Sequence, residues 1–168
     1  MLNLDVPECI TTIEVTKPTE IQQRLIDGLG DRADRIRKKE VDRREDNMLL
    51  VTTDGRKIGL DQRLIDPMLP DEEGTKINRC VDNVFRIWDE TKENRSTQLI
   101  FCDMAVPQSK ESIKKNGIKF SAYDDIKNKL ISKGIPENEI AFIHDAATDT
   151  AKDTLFSKVR NGDIRVLI

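Results

Sequence analysis

Two aspartates, one histidine and one pair of adjacent cations are the residues whose types and spacing could do chemistry. Asp103 follows the apolar run Gln98-Leu99-Ile100-Phe101-Cys102, and Asp145 follows Ile140-Ala141-Phe142-Ile143-His144. Short apolar runs of this kind read as buried strands, so each carboxylate falls just past a strand end. In a parallel sheet both would stand at one edge, where paired carboxylates can hold Mg²⁺ for phosphoryl transfer. Acidic residues also commonly open loops, which requires no metal. His144 at a strand end could contact a phosphate, or could be a hydrogen-bonded structural residue. No serine or cysteine can be paired with it as a nucleophile. Asp54-Gly55 reads as a turn presenting Arg56 and Lys57. Such cations either sit in solvent or hold a duplex by its phosphates without reading its sequence.

Other chemistries are missing. Neither G-x-x-x-x-G-K-[ST] nor G-x-G-x-x-G occurs, and Gly28-Leu29-Gly30 lacks both a preceding strand and a third glycine. No catalytic, cofactor-binding or metal-ligating residue is therefore assigned to this chain by motif. Cys9, Cys80 and Cys102 are far apart, with no C-x-x-C pair, which argues against a zinc site and a disulfide framework. A reducing, cytoplasmic setting is expected.

Positioning these groups requires the elements around them. Pro7 and Pro18 bracket a β-branched stretch, and its alternation predicts a strand over Thr12 to Thr16 within an extended segment 1–17. Thr19 reads as a helix N-cap before Ile21, Leu25, Ile26, Leu29 and Ile36. Residues 31–45 mix both charge signs densely. They are either a solvated helix face or a nucleic-acid-facing arm using Arg35, Arg37, Lys38 and Lys39. Met48 to Val51 is a short apolar run, and a short helix is expected over Lys57 to Leu64. The clearest helix is 76–91, where Ile77, Cys80, Val81, Val84, Ile87 and Trp88 make one continuous face. Trp88 is expected in the core.

From residue 97 strands and helices alternate. The strands are 98–102, 140–143 and 164–168. Between them lie a polar insertion at 105–119 and two helices. Ser121 with Asp124 resembles a capping box for the first helix, whose face is Ala122, Ile126, Leu130 and Ile131. Gly134 stands where a left-handed closing glycine belongs. The second helix carries Ala151, Leu155, Phe156 and Val159, and Gly162 ends it. This β-α-β-α-β order implies a parallel sheet with right-handed crossovers. The expected class is α/β, with a helical arm over 18–92 and a sheet-bearing lobe over 93–168.

The 168 residues suffice for one compact domain with an arm. Lys and Arg total 28 against 31 Asp and Glu, a net charge of −3, which excludes a uniformly basic nucleic-acid binder but not a local basic face. With aromatics at 4%, the core must be built from Ile, Leu and Val. No apolar run is long enough for a membrane helix, and Met1 to Asp5 does not resemble a signal peptide. The apolar run Val166-Leu167-Ile168 closes the sequence inside a strand, from which a longer parent protein is expected.

Ser96-Thr97-Gln98-Leu99-Ile100-Phe101-Cys102-Asp103 resembles motif IV in the second RecA-like lobe of superfamily-two helicases. Glu139-Ile140-Ala141-Phe142-Ile143-His144-Asp145 continues the likeness, and Phe156 to Ile168 is similar to the run leading into motif V. Upstream, Asp46-Asn47-Met48-Leu49, Asp54-Gly55-Arg56-Lys57 and Leu60 to Pro67 look like a narrower group. These are the Swi/Snf-like helicases of phages, plasmids and conjugative mobile elements, often fused to an adenine-specific DNA methyltransferase. The resemblance implies the second, incomplete RecA-like lobe of an ATP-dependent DNA helicase or translocase, a DNA-binding hydrolase. ATP and Mg²⁺ belong to the full-length parent, whose first RecA-like lobe carries the Walker motifs. This chain alone is expected to be inactive as an ATPase. The resemblance points to DNA contacts near the loop Asp103 to Ala105 and at His144, with Arg56 and Lys57 as further candidates. Two other readings stand beside it. One is a Mg²⁺-dependent phosphohydrolase using Asp103 and Asp145. The other is a non-enzymatic docking module whose arm packs on another domain near Trp88.

Overall fold

A computed structural model describes residues 8–108 and 120–168. Residues 1–7 of the expected extended segment, and 109–119 of the expected polar insertion, lie outside the described residues. Five α-helices and a three-stranded parallel sheet make up the described chain: α1 Glu20–Arg37, α2 Met48–Leu60, α3 Lys76–Glu90, β1 Gln98–Leu99, α4 Ala122–Lys133, β2 Ile140–Ala141, α5 Asp149–Arg160 and β3 Val166–Leu167. The class is α/β, as the alternation predicts.

The sheet order is β1-β3-β2, with Val166 opposite Gln98 on one side and opposite Ile140 on the other. Each crossover skips or returns over β3. Two crossovers that run in opposite directions with the same hand place their helices on opposite faces. On one face α3 and α4 pack together over the sheet. Ile77, Val81, Val84, Ile126, Leu130 and Val166 share that core. The helix 76–91 thus contributes to the same core as the sheet. Cys80 sits among these residues, and burial pushes its thiol pKa up, with nearby Cys102 adding to the shift.

The local signals explain most boundaries. At α1 the Thr19 hydroxyl accepts from the Gln22 N–H at 3.1 Å, and the Gln22 side chain accepts from the Thr19 N–H at 2.9 Å. This reciprocal cap satisfies two donors that a helix start leaves free. Ser121 caps α4 through the Asp124 N–H at 3.2 Å. Gly134 and Gly162 close α4 and α5 at φ 111° and 74°. At Gly162 a Cβ would stand 2.9 Å from the Arg95 Cβ, so both the angle and the space demand glycine.

Four expectations are corrected. Residues 12–16 form no strand: Ile13 and Val15 are 82% and 87% exposed, because no sheet edge lies beside them to take their backbone bonds. The Asp54-Gly55 turn is absent. Asn47 caps α2 by accepting from the Leu49 and Leu50 N–H groups, and burial of Val51 and Ile58 carries the helix through Gly55 to Leu60. The expected helix 57–64 is the end of α2 followed by a short 3-10 turn, Gln62–Leu64. Finally, β1 is not buried on both faces. It lies at a sheet edge, Leu99 is 54% exposed and Phe101 is 91% exposed.

Arg165 joins the sheet to α3. It is 1% exposed, and its guanidinium donates to the Trp88 carbonyl at 2.6 Å and to the Thr91 hydroxyl at 3.0 Å. It also lies over the Trp88 ring, 5.0 Å from the centroid. Glu139 is its counterion at 3.9 Å, and accepts from the Trp88 indole N–H at 2.7 Å and from Arg95 at 3.1 Å. Trp88 is therefore half-buried with its polar edge occupied, rather than a free docking face. Burial lowers the Arg165 pKa, the Glu139 charge opposes this, and nearby Arg95 adds to the lowering.

Arg63 joins the helical arm to the lobe. Its side chain bonds Asp61 at 2.8 Å, Asp71 at 3.1 Å and Asp125 of α4 at 2.8 Å, and lies over the Phe120 ring. Lys129 of α4 completes the cluster, 2.7 Å from Asp71 and 2.8 Å from Asp125. Burial raises the Asp71 carboxyl, but hydrogen bonds from Lys129 and Asn78 and the two cationic charges outweigh it, leaving the pKa below its ordinary value.

Two outcomes follow from these clusters. Glu139→Gln keeps the side-chain size and removes the charge facing Arg165. Urea unfolding followed by Trp88 fluorescence should show a loss of about 3–5 kcal/mol, as for a buried pair deprived of one partner. A loss below about 0.5 kcal/mol, the level of an ordinary surface change, would show that Glu139 is not the counterion. The depressed Asp71 pKa contributes stability that is full above the unfolded carboxylate value and is lost as pH falls through the folded value. Stability should therefore decline as pH drops below about 4, and Lys129→Met should flatten that decline.

Candidate functional site

The carboxyl ends of β1 and β2 deliver the candidate residues to one edge of the sheet, where open α/β sheets place their ligands. After β1 the chain runs through Ile100 to Asp103 and turns at Ala105, which holds φ 56°. A non-glycine residue in this left-handed region is strained, and such positions cluster at functional loops. Two bonds hold the turn. The Cys102 thiol donates to the Met104 carbonyl at 3.2 Å, and the Tyr123 hydroxyl of α4 donates to the Cys102 carbonyl. Burial raises the Tyr123 pKa, and the Cys102 and Asp103 charges add to it, so the hydroxyl keeps its proton and remains a donor.

After β2 the chain enters a 3-10 turn, Ile143–Asp145. It stays tied to the sheet because the Ile143 N–H donates to the Ile168 carbonyl at 2.9 Å. His144 is exposed on this turn, and its ring meets the Tyr123 ring edge-on, with centroids 5.4 Å apart. Tyr123 thus fastens both loops. Its hydroxyl holds the loop after β1, and its ring supports the histidine after β2.

Arg56 and Lys57 separate. As neighbours on a helix they point about 100° apart around its axis. Arg56 reaches the sheet edge and forms an ion pair with Asp103. The two side chains are 58% and 77% exposed, so solvent screens the pair and a phosphate could displace the carboxylate. Arg56 also lines a cleft of about 530 Å³ between α2 and the loop after β1, together with Gly55, Gly59 and Lys76. Lys57 turns away to Asp54 at 3.2 Å and lines a different cavity beside Arg63. The structure brings Arg56, Asp103 and His144 to one edge and leaves Lys57 apart. Asp145 is exposed on the same turn as His144. Among the described residues no group of three His, Cys, Asp or Glu side chains could hold a metal ion.

Beside this edge lies a feature the sequence did not announce. An apolar groove of about 790 Å³ opens between β1 and α5, lined by Leu99, Phe101, Phe156, Val159 and Leu167, with Tyr123 and Ile143 at its end. No residue of α5 is fully buried, so the helix covers this face of the sheet only in part. The signal was present in the strand alternation: Val166 goes to the α3–α4 core while Leu167 faces the groove.

No protein-family model matches the chain, and no curated protein or solved structure matches it either. Among the described residues, no helix is long and apolar enough to cross a membrane.

The role given to Tyr123 has a direct check. Tyr123→Phe removes one hydrogen bond donor and should cost about 1 kcal/mol of stability. Amide exchange should quicken at residues 103–105 and stay unchanged in α3. Unchanged exchange at 103–105 would show that the hydroxyl does not hold the loop.

Proposed function

We propose that this chain is the second motor lobe of a DNA helicase or translocase of the Swi/Snf-like type, with its RecA-like sheet incomplete. The observation that carries this reading is the single edge formed at the carboxyl ends of β1 and β2. There the loop Cys102 to Ala105 and His144 stand side by side, fastened by Tyr123. These are the positions at which the motif IV resemblance places phosphate contacts. The parallel order β1-β3-β2 with helices on its faces is compatible with such a lobe.

In this reading the lobe does no chemistry by itself. His144 and Arg56 contact the DNA backbone, and Arg56 exchanges its Asp103 carboxylate for a phosphate. ATP and Mg²⁺ bind to a companion lobe that carries the phosphate-cradling motifs, and closure of the two lobes couples hydrolysis to movement along DNA. The open groove at Leu99, Phe101 and Phe156 offers an apolar surface of the kind that meets another protein surface. A magnesium-dependent phosphohydrolase built on Asp103 and Asp145 has less support, because the Asp103 carboxylate is engaged by Arg56 and among the described residues no group of three possible ligands forms.

Hydrogen exchange of the full chain with and without a short DNA duplex at low salt tests the reading. DNA should protect residues 101–105 and 143–146, and the protection should fall steeply as salt rises. His144→Ala should weaken that protection. The chain should not turn over ATP, with or without DNA. Absence of protection at this edge, or DNA-stimulated ATP hydrolysis by this chain, would overturn the proposal.

A further inference from the structure

The end of α1 and the segment leading to α2 concentrate charge. Residues 35–44 carry Arg35, Arg37, Lys38, Lys39, Arg43 and Arg44 against Glu40 and Asp42, a local net charge of +4 in a chain whose total is −3. All six cations are exposed. Arg37 meets Asp34 at 3.3 Å on an open surface, and Arg35 lies near enough to Asp46 to lower its pKa. The side chains of Lys38, Lys39, Arg43 and Arg44 have no carboxylate partner among the described residues.

Three of the six cations line one concavity. A cavity of about 530 Å³ is lined by Arg37, Lys39 and Arg43, with Ile36, Val41 and Met48 as its apolar floor. The frame around it is rigid. Arg32 of α1 makes a two-pronged ion pair with Asp46, at 2.8 and 2.9 Å, and a third bond to Asp54 of α2 at 2.9 Å. Asp46 and Asp54 are thereby committed to Arg32, which leaves Glu40 and Asp42 as the acids of the segment itself. Hydrogen bonds from Arg32 to the Asp46 and Asp54 carboxylates raise its pKa, so its charge is permanent.

The backbone supplies an independent sign. Helix α1 closes with the Lys39 N–H on the Ile36 carbonyl at 3.1 Å and the Glu40 N–H on the Arg35 carbonyl at 3.0 Å. Helices α4 and α5 close by the same pair of bonds, and there the left-handed residue is Gly134 or Gly162. In α1 it is Lys39, at φ 61°. Lysine is strained in this region where glycine is not, as are Arg95 and Ala105 at φ 47° and 56°, and the closure sets Lys39 at the turn beside the cavity.

We infer that residues 35–44 form a phosphate-backbone site for nucleic acid, centred on the concavity of Arg37, Lys39 and Arg43. The choice of a nucleic acid as the polyanion rests on the motor reading, whereas the site itself rests on this cluster. Guanidinium forks and lysines on the rim match phosphate oxygens. The apolar floor suits the sugar between two phosphates. The site lies on the arm, apart from the residues that make up the sheet edge, and gives the chain a second, sequence-independent hold.

Fluorescence anisotropy of a labelled duplex, titrated with the full chain, tests this. The combined Arg37→Gln, Lys39→Gln and Arg43→Gln variant should weaken binding at least tenfold at about 50 mM salt and reduce the salt slope by about 0.9 per contact removed. A control with the same charge change elsewhere, Arg24→Gln, Arg86→Gln and Lys92→Gln, should change affinity less than twofold. Equal losses in the two variants would reduce the site to diffuse charge and overturn it, as would unaltered binding in the first. Lys39→Gly separates structure from binding: it should raise the Tm while lowering DNA affinity. A higher Tm with unchanged affinity would assign Lys39 no contact. Anionic phosphatidylserine vesicles bound more tightly than DNA would also overturn the inference. If the arm variant is silent while DNA still protects residues 101–105 and 143–146, this inference fails and the motor reading stands. If the arm variant loses binding while that edge is unprotected, the motor reading fails and the arm site stands.

Discussion

The buried guanidinium of Arg165 is the constraint on which the rest of the lobe depends. Its backbone serves both neighbours of β3: the Gln98 N–H donates to the Arg165 carbonyl at 2.8 Å, and the Arg165 N–H donates to the Glu139 carbonyl at 2.8 Å. Its side chain caps the end of α3 through the Trp88 carbonyl and the Thr91 hydroxyl. One residue therefore sets the order of three strands and the depth of the helix packed against them. A charge with 1% exposure is tolerable only when a counterion and hydrogen bonds satisfy it. Glu139 cannot slide along its strand without leaving Arg165 unpaired, which fixes register more firmly than strands of two paired residues could by their ladder bonds alone.

Fixed register has a consequence at the opposite end of the sheet. With β1, β3 and β2 pinned at Arg165, their carboxyl ends emerge at set heights, and the loop after β1 and the turn after β2 fall within reach of one side chain, Tyr123. The arm is attached by a second charged cluster, in which Arg63 gathers Asp61, Asp71 and Asp125. That attachment orients α2, and α2 carries Arg56 to Asp103. The candidate edge is thus assembled from the arm and the lobe, joined by ion pairs at Arg63, which is buried, and at Arg56, which is exposed and exchangeable.

Local structure was legible where a residue acts on its neighbours. Thr19, Ser121, Gly134 and Gly162 announce helix ends through caps and left-handed closures, and the spacing of Ile77, Val81 and Val84 announces the core face of α3. Legibility failed where distant contacts decide. Asp54-Gly55 has the composition of a turn, yet Asn47 and the burial of Val51 and Ile58 hold it in a helix. Thr12 to Thr16 alternates like a strand, but a strand needs an edge, and none is near. Arg165 stands inside the apolar run Ile164-Arg165-Val166-Leu167-Ile168, yet its burial was not anticipated from the sequence, although a buried charge implies a partner. Nothing in the order of residues identified that partner as Glu139, or drew Arg63 to Asp125, because these pairings exist only once the chain is folded. For the same reason His144 and Asp103 could be placed at one edge from strand ends, whereas the divergence of Arg56 and Lys57 could not be anticipated until the turn proved to be a helix.

Charge distribution completes the argument. A near-neutral total says little about anion binding when positive charge is gathered at one place and some acids elsewhere are engaged in internal pairs. Asp46, Asp54, Asp61, Asp71 and Asp125 all face Arg32, Arg63 or Lys129, so their charge is spent on holding the fold. The sheet edge carries one exchangeable arginine and a histidine, whereas the segment 35–44 carries Lys38, Lys39, Arg43 and Arg44, whose side chains have no carboxylate partner among the described residues. Phosphate attraction scales with the number of contacts neutralised, and positioning with their rigidity. On those terms the proposed affinity for a nucleic-acid backbone would reside mainly in the arm, and the proposed contact at the edge fastened by Tyr123 would contribute placement. The two surfaces would then divide between them what a single basic face would have to do alone.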